Sequence, residues 1–254
     1  MKDLFTNKTA LITGASSGIG EACAHRFAKL GAQVILHYNS GKAKAKKIVS
    51  SLPGNGHIII GADLGNPDDI QKLVHEAVDK VGKIDMLVNN AGIYEETDWL
   101  SLSYEEWLEY WNKTISVNLN GASHLSFLVA KHMTGKGGGK IVNVTSRGAF
   151  RGEPDALPYG ASKAGLNAVG QSMAKALAAK NVFVFTIAPG YVNTAMTEHI
   201  INSPRGSEIN AQSPMNRIAS SDEIAHAITM LASDGMEYAT GCILDMNGAS
   251  YLRT

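Results

Sequence analysis

Tyr159 and Lys163 stand four residues apart in Tyr159-Gly160-Ala161-Ser162-Lys163, a spacing that puts both side chains on one face of a helix. An ammonium beside a phenol favours the phenolate, and each unit of lowered pKa corresponds to about 1.4 kcal/mol of preferential stabilisation. A tyrosine brought down from about 10 toward neutrality can exchange a proton during a reaction. Ser146 lies thirteen residues upstream, ending the run Ile141-Val142-Asn143-Val144. Its hydroxyl can hold a substrate oxygen if the intervening loop folds back onto Tyr159. Taken singly, each has a bland explanation, since YxxxK recurs by accident and a serine can simply cap a strand. Their weight depends on what surrounds them.

A glycine-rich turn suggests a second chemistry. Thr13-Gly14-Ala15-Ser16-Ser17-Gly18-Ile19-Gly20 lies between the strand-like Thr9 to Thr13 and a helical pattern from about Gly18 to Leu30. Missing Cβ atoms let such a turn approach a ligand closely, and the free N–H groups at the following helix N-terminus favour a pyrophosphate.

The elements that must position these residues alternate in type. Further strands are expected at Gln33 to Tyr38, His57 to Gly61, Met86 to Asn89, Lys140 to Val144, Val182 to Ile187 and Ile243 to Met246, with helix-length segments between them. That pattern predicts an α/β fold, a single-domain Rossmann-type doubly wound parallel sheet of about seven strands with helices on both faces. No composition break interrupts residues 1–254, so one domain is expected. Two long helices are predicted, from about Tyr104 to Met133 and from about Tyr159 to Ala179. The second is rich in small residues, among them Ala161, Ala164, Gly165, Ala168 and Ala174. They suit either packing between subunits, in a homodimer or homotetramer, or packing on the sheet.

Lys plus Arg equals Asp plus Glu at 23 each, which argues against nucleic acid or an anionic membrane as partner. Two cysteines, Cys23 and Cys242, are too few for a disulfide framework or a metal cluster, so no metal is expected. No signal-peptide pattern and no apolar window of membrane-spanning length occurs, and a cytoplasmic location is expected.

The glycine spacing is GxxxGxG, and here the chain resembles the short-chain dehydrogenase/reductase family. Asn89-Asn90-Ala91-Gly92 after the fourth strand looks like that family's NNAG element, and Asp63-Leu64 after the third resembles its adenine-contacting pair. Together with Ser146, Tyr159 and Lys163, these span nearly the whole chain, nearest within the family to 3-oxoacyl-carrier-protein reductases and related ketone reductases. The resemblance implies hydride transfer between a nicotinamide cofactor and a carbonyl or alcohol. It implies a catalytic set of Asn118, Ser146, Tyr159 and Lys163, with Asn118 linking the lysine to a water-mediated proton relay and Asn120 as its rival. Within a helix an asparagine has poor propensity and needs a local reason. The cofactor would be held by Gly14, Ser16, Ser17, Gly18, Ile19 and Gly20; by Tyr38, Asn39 and Ser40; by Asp63 and Leu64; by Asn90, Ala91 and Gly92; by Tyr159 and Lys163; and by Pro189, Gly190, Val192 and Thr194. Phe185 departs from the family, which usually has a polar asparagine there.

Cofactor choice should be legible after the second strand, where a carboxylate would bind the ribose hydroxyls of NAD and repel the extra phosphate of NADP. His37-Tyr38-Asn39-Ser40-Gly41-Lys42 contains none. Asn39 and Ser40 can donate to a phosphate and Lys42 adds charge, so NADP(H) is favoured, with NAD(H) the alternative. The stretch also reads as a polar turn opening a helix.

Residues 192–219 are expected to form a substrate loop, with Pro204, Gly206 and Pro214 between helical fragments. Met196, Ile200, Ile201 and Met215 suit an apolar lining or core packing, and His199 and Arg205 polar contacts. Tyr94, Glu95 and Glu96, and Phe150 to Glu153, would form other walls. The substrate is expected to be a small carbonyl compound or alcohol. If an acyl carrier protein delivers it, Lys131, Lys136, Lys140 and Lys180 would be its basic docking patch near the active-site rim. A nucleotide-binding regulator that has lost catalysis is the rival function; the intact Ser146, Tyr159 and Lys163 speak against it.

Overall fold

The computed structural model describes residues 3–253, apart from the side chain of His199. Seven parallel strands form one sheet: β1 (Thr9–Ile12), β2 (Gln33–Tyr38), β3 (Ile58–Gly61), β4 (Met86–Asn89), β5 (Gly139–Val144), β6 (Val182–Pro189) and, last in the chain, β9 (Ile243–Met246). Their spatial order is β3-β2-β1-β4-β5-β6-β9, so the direction of winding reverses between β1 and β4. Open sheets of this kind bind ligands in the crevice that such a reversal creates at the carboxyl ends.

The strands are apolar on both faces because helices cover both. Alternate residues divide between two cores. Val34, Leu36, Val88 and Phe185 pack beneath α1 (Gly18–Lys29), α2 (Lys42–Ser51) and α10 (Ser221–Leu231). Leu11, Ile35, Leu87, Ile141 and Val184 pack beneath α3 (Pro67–Val81), α5 (Ala122–Thr134) and α7 (Leu157–Leu177). Phe185, the departure from the family pattern, is thus core filling on the α10 side.

The strand expectations agree with the structure to within two residues. The first long helix does not. It breaks into α4 (Tyr104–Ile115), a π-helical turn at Ser116–Gly121, and α5. Gly121 is where this segment meets the loop after β3, since a Cβ there would come within 3.1 Å of the Leu64 carbonyl carbon. Such π turns concentrate at functional sites, and this one contains Asn118. Helix α4 starts sharply because Ser103 and Glu106 form a reciprocal capping box.

Helix α7 begins two residues before Tyr159, with Pro158 in its first turn, where a missing N–H costs nothing. Its small residues divide between two faces. Gly170 faces the sheet, its missing Cβ leaving room for Asn143 Nδ2 and Thr186 Oγ1, while Ala161, Ala164 and Ala168 face outward. Short pieces complete the carboxyl edge: α6 (Gly148–Arg151), β7 (Val192–Asn193), α8 (Glu198–Ile201), α9 (Gly206–Ala211) and β8 (Ala219–Ser220), which pairs with β7. Among the described residues no helix is long and apolar enough to cross a membrane.

Candidate active site

A cleft of about 560 Å³ opens along the carboxyl edge of the sheet, from the glycine turn to the loop after β6. Gly14 and Gly18 adopt φ +61° and +57°, a region that side chains rarely enter. A Cβ on Gly18 would stand 3.0 Å from Thr194 Cγ2, and one on Gly14 would stand 2.9 Å from Ala91 Cα. The turn therefore passes between the loops after β4 and β6 only because it lacks side chains. Ser17 caps α1 in an extended conformation without a side-chain bond, so the first-turn N–H groups of α1 remain available to an anion.

Polar residues in and just after the apolar strands hold this cradle. Thr13 Oγ1 accepts from the N–H groups of Asn90 and Ala91 at 2.9 and 3.0 Å, while Asn90 Nδ2 donates to the Thr13 carbonyl at 2.8 Å. His37, 1% exposed, accepts from Gly14 N–H at Nδ1 (3.2 Å) and therefore donates from Nε2 to the Ala62 carbonyl (3.1 Å). That pairing selects the neutral ring, and burial pushes the imidazole pKa down to about 4.

At the other end, Tyr159 and Ser146 both line the cleft, and Ser146 Oγ accepts from the Gly148 N–H at 3.0 Å. The Lys163 ammonium lies 5.6 Å from the Tyr159 ring centre and donates to the Val144 carbonyl at 2.9 Å. Burial dominates both groups. It lifts the Tyr159 phenol to about 12, against the lowering effect of Ser146, and brings Lys163 down to about 8. The protein's own groups thus hold the phenol above its ordinary value, desolvation first and the neighbouring Glu153 and Tyr191 adding to it.

Asn118 is fully buried behind the cleft wall. Its Oδ1 accepts from the Ile93 N–H at 2.8 Å, and its Nδ2 donates to the Ile93 carbonyl at 2.9 Å and to Ser162 Oγ at 3.3 Å. A Cβ on Gly92 would sit 3.2 Å from Asn118 Oδ1 and 3.3 Å from Lys163 Nζ, so Gly92 separates the two side chains.

A family model described as enoyl-(acyl carrier protein) reductase matches residues 14–248. The 3-oxoacyl-[acyl-carrier-protein] reductase FabG of Escherichia coli is 36% identical over 248 residues, 98% of this chain and 99% of that protein. The acetoacetyl-CoA reductase of Allochromatium vinosum is also 36% identical, covering 96% and 99%. The chain belongs to the short-chain dehydrogenase/reductase family. Among solved structures, a 3-ketoacyl-(acyl-carrier-protein) reductase from Brucella melitensis complexed with NADH superposes with TM-score 0.88 at 30% identity, covering 98% of this chain and 100% of that one. A short-chain dehydrogenase/reductase from the same organism, titled glucose/ribitol dehydrogenase, gives 0.90 at 31%, with both chains fully covered. This family member is an NAD(P)-dependent oxidoreductase that interconverts a carbonyl and a secondary alcohol.

Of the residues expected at the site, Gly14, Ser16, Ser17, Gly18, Ile19, Asn39, Ser40, Asp63, Leu64, Asn90, Ala91 and Gly92 line the cleft. So do Ser146, Tyr159, Lys163, Pro189, Gly190, Val192 and Thr194. Three others do not. Gly20 lies beneath the turn, where a Cβ would come within 2.6 Å of Asn90 Nδ2. Tyr38 alternates away on β2, its ring filling the space over Gly61, and it is His37 that faces the cradle. Asn118 stands behind the wall. Lys44, two residues beyond the expected Lys42, is the lysine that lines the cleft beside Asn39 and Ser40. Thr13 and His37 were not singled out from sequence, although a polar side chain in an otherwise apolar strand was the available signal.

The substrate side differs more from expectation. Met196 lines the cleft, Ile200 turns inward, and Met215 lines a separate cavity; the side chain of His199 lies outside the described residues. Arg205 is bound to Glu96 at 3.0 Å rather than free. The expected basic patch is not at the rim. Lys136 and Lys180 immediately precede β5 and β6, and Lys131 ends α5, so they lie toward the amino edge of the sheet. Lys140 is buried there, bonded to the Ser233 carbonyl, Asp234 and Glu237.

Proposed function

We propose that Tyr159 is the proton donor when this enzyme reduces a carbonyl, and the acceptor in the reverse direction. Ser146 holds the substrate oxygen beside it. The observation that carries this reading is that Tyr159, Ser146 and Lys163 line one cleft, with the Lys163 ammonium 5.6 Å from the phenol ring. A phenol lifted to about 12 keeps its proton at neutral pH, the form a donor needs. A buried lysine near 8 is poised to exchange protons with solvent around neutrality. Asn118 acts as a positioning residue: its amide holds the backbone of Ile93, one residue after Gly92, and so keeps the path beside Lys163 open.

The glycine turn, the loop Asn90 to Gly92 and the segment Pro189 to Thr194 suit a dinucleotide, because each presents backbone to the cleft. The bound nicotinamide supplies or accepts the hydride. NADP(H) is the favoured form. Ser16, Asn39, Ser40 and Lys44 flank the adenosine end, and α2 opens there at Gly41 with no acidic residue in its first turn. With NAD(H), nothing at this end repels the cofactor, but no carboxylate follows β2 to fix its ribose hydroxyls; the carboxylate in the lining, Asp63, follows β3 and accepts from the Gly65 N–H.

The proposal extends to a single domain over residues 1–254 with the substrate loop at 192–219. It also extends to a cytoplasmic homo-oligomer that buries the outward small residues of α7. Tyr159→Phe tests the chemistry. It removes one hydroxyl from a ring already packed by Tyr94, so the melting temperature and cofactor affinity stay near wild type while turnover falls about a hundredfold or more. Steady-state turnover within a few-fold of wild type would remove Tyr159 from the mechanism.

A further inference from the structure

Side chains alternate across the wall of the cleft. Ser146, Gly190 and Val192 line it, while Arg147 and Tyr191 turn to the far side and line a second cavity of about 230 Å³, with no lining residue in common. The Arg147 N–H donates to the Pro189 carbonyl at 2.9 Å, which fixes the backbone between the two spaces. Residues from α9 to β8, with those of β9 and the turn after it, close the cavity; Ile209, Met215, Ile218 and Met246 give it an apolar surface.

Arg147 is 3% exposed, and its guanidinium lies 5.1 Å from the Tyr191 ring centre. Two neutral acceptors hold it, Ser250 Oγ and Gln212 Oε1, and these bonds occupy only two of its five N–H donors. Among the described residues no carboxylate is paired with it. Glu153, whose field reaches it, is bound to Arg151 at 3.3 Å. The other charges around the cavity cancel. Arg217 holds both oxygens of Glu223, at 2.9 and 2.7 Å, and Asp245 gives Oδ2 to Arg253 at 2.7 Å while its Oδ1 is buried. One positive charge is left over, and a buried charge without a counter-charge destabilises a fold.

An anion entering the cavity would supply that counter-charge. A single uncompensated cation, with two carboxylates close by, favours a monoanion over a phosphate. The planar fork of a guanidinium matches a carboxylate, and the apolar side chains suit a short hydrocarbon body. We propose that this cavity is a second binding site, separate from the cleft, for a small organic carboxylate. Its anionic end meets Arg147, and its body lies against Ile209, Met215, Ile218 and Met246. Because no residue lines both spaces, the site fills while the cleft holds its cofactor.

The test is calorimetric titration of the full chain, with NADPH present, using butyrate, its neutral isostere butyramide, and inorganic phosphate. Butyrate should bind at least about tenfold more tightly than either, the worth of about one charge-assisted bond. Arg147→Gln removes the charge and should bring butyrate down to the level of butyramide. Met215→Trp, at an exposed position of the lining, fills the cavity and should weaken butyrate about tenfold with the arginine in place. Equal binding of butyrate and butyramide overturns the proposal, and tighter binding of phosphate overturns the ligand class. A preference for butyrate that survives Arg147→Gln puts the carboxylate elsewhere and overturns the site; should melting curves show that variant unfolded, Met215→Trp decides in its place.

Discussion

His37 makes the cofactor cradle sensitive to acid, and the size of that effect follows from its two contacts. In the folded chain Nδ1 must accept from the Gly14 N–H, so protonating that nitrogen replaces an acceptor by a second donor facing a donor. With the folded pKa near 4 and a reference value of 6.5, the unfolded chain takes up the proton first as pH falls. The sign is therefore destabilising in acid. No penalty exists above about 6.5; stability falls below it and levels off below about 4. Linkage over that interval gives a loss of about 2 kcal/mol at pH 5 and about 3 kcal/mol at pH 4 relative to pH 8. His37→Gln removes the titration and keeps a side-chain oxygen able to accept from Gly14. Urea unfolding of both proteins at pH 8, 6, 5 and 4 isolates the contribution, because every other titrating group is common to the two. The wild type should lose about 2 to 3 kcal/mol more than the variant between pH 8 and pH 4. Parallel stability curves would refute the buried neutral imidazole and the loop contact inferred from it.

Two further substitutions probe the cleft. Lys163→Ala should weaken cofactor binding and lower kcat together, by about a hundredfold in kcat/KM, as read by cofactor fluorescence titration and steady-state rates; an unchanged dissociation constant would limit the lysine to proton chemistry. Lys44→Ala should reduce the preference for NADPH over NADH by about tenfold, the loss of one charge-assisted contact, in parallel binding titrations. Tighter binding of NADH than NADPH by the wild type would reverse the cofactor assignment.

The sheet was legible because its strands are buried on both faces, so each reads as a short β-branched run bounded by glycine, asparagine or proline. The cradle was legible because the turn between β1 and α1 needs glycine where φ is positive, at Gly14 and Gly18. What escaped was direction. Alternation along β2 sends Tyr38 into the core and His37 to the cradle, and an error of one residue in that phase inverts the two roles. The π turn escaped for a related reason: α4 and α5 have compatible apolar stripes, and the local change of period at Ser116–Gly121 leaves no compositional mark. Charge pairing was also invisible, since Glu96 meets Arg205 across 109 positions of chain. Lysines scattered over Lys131 to Lys180 looked like one patch at the rim only until strand direction assigned them to the other edge.

The residues that follow strand β4 touch both ends of the cleft. At its carboxyl end, Asn90 ties backbone and side chain to Thr13 and Gly14, and Gly14 in turn rests on His37. Two residues later Gly92 fits between Asn118 and Lys163, and Asn118 fastens Ile93 with both amide atoms. The segment from Asn90 to Ile93 is thus bonded on one side to Thr13 and Gly14 and on the other to Asn118, which itself donates to Ser162 on α7. A side chain at position 92 would crowd both the lysine and the asparagine, and Asn90 is bonded to the Gly14 carbonyl. The glycine turn and the wall bearing Lys163 are therefore joined through a segment only four residues long. It lies where the order of strands reverses, the one place in the sheet from which a single loop reaches both halves.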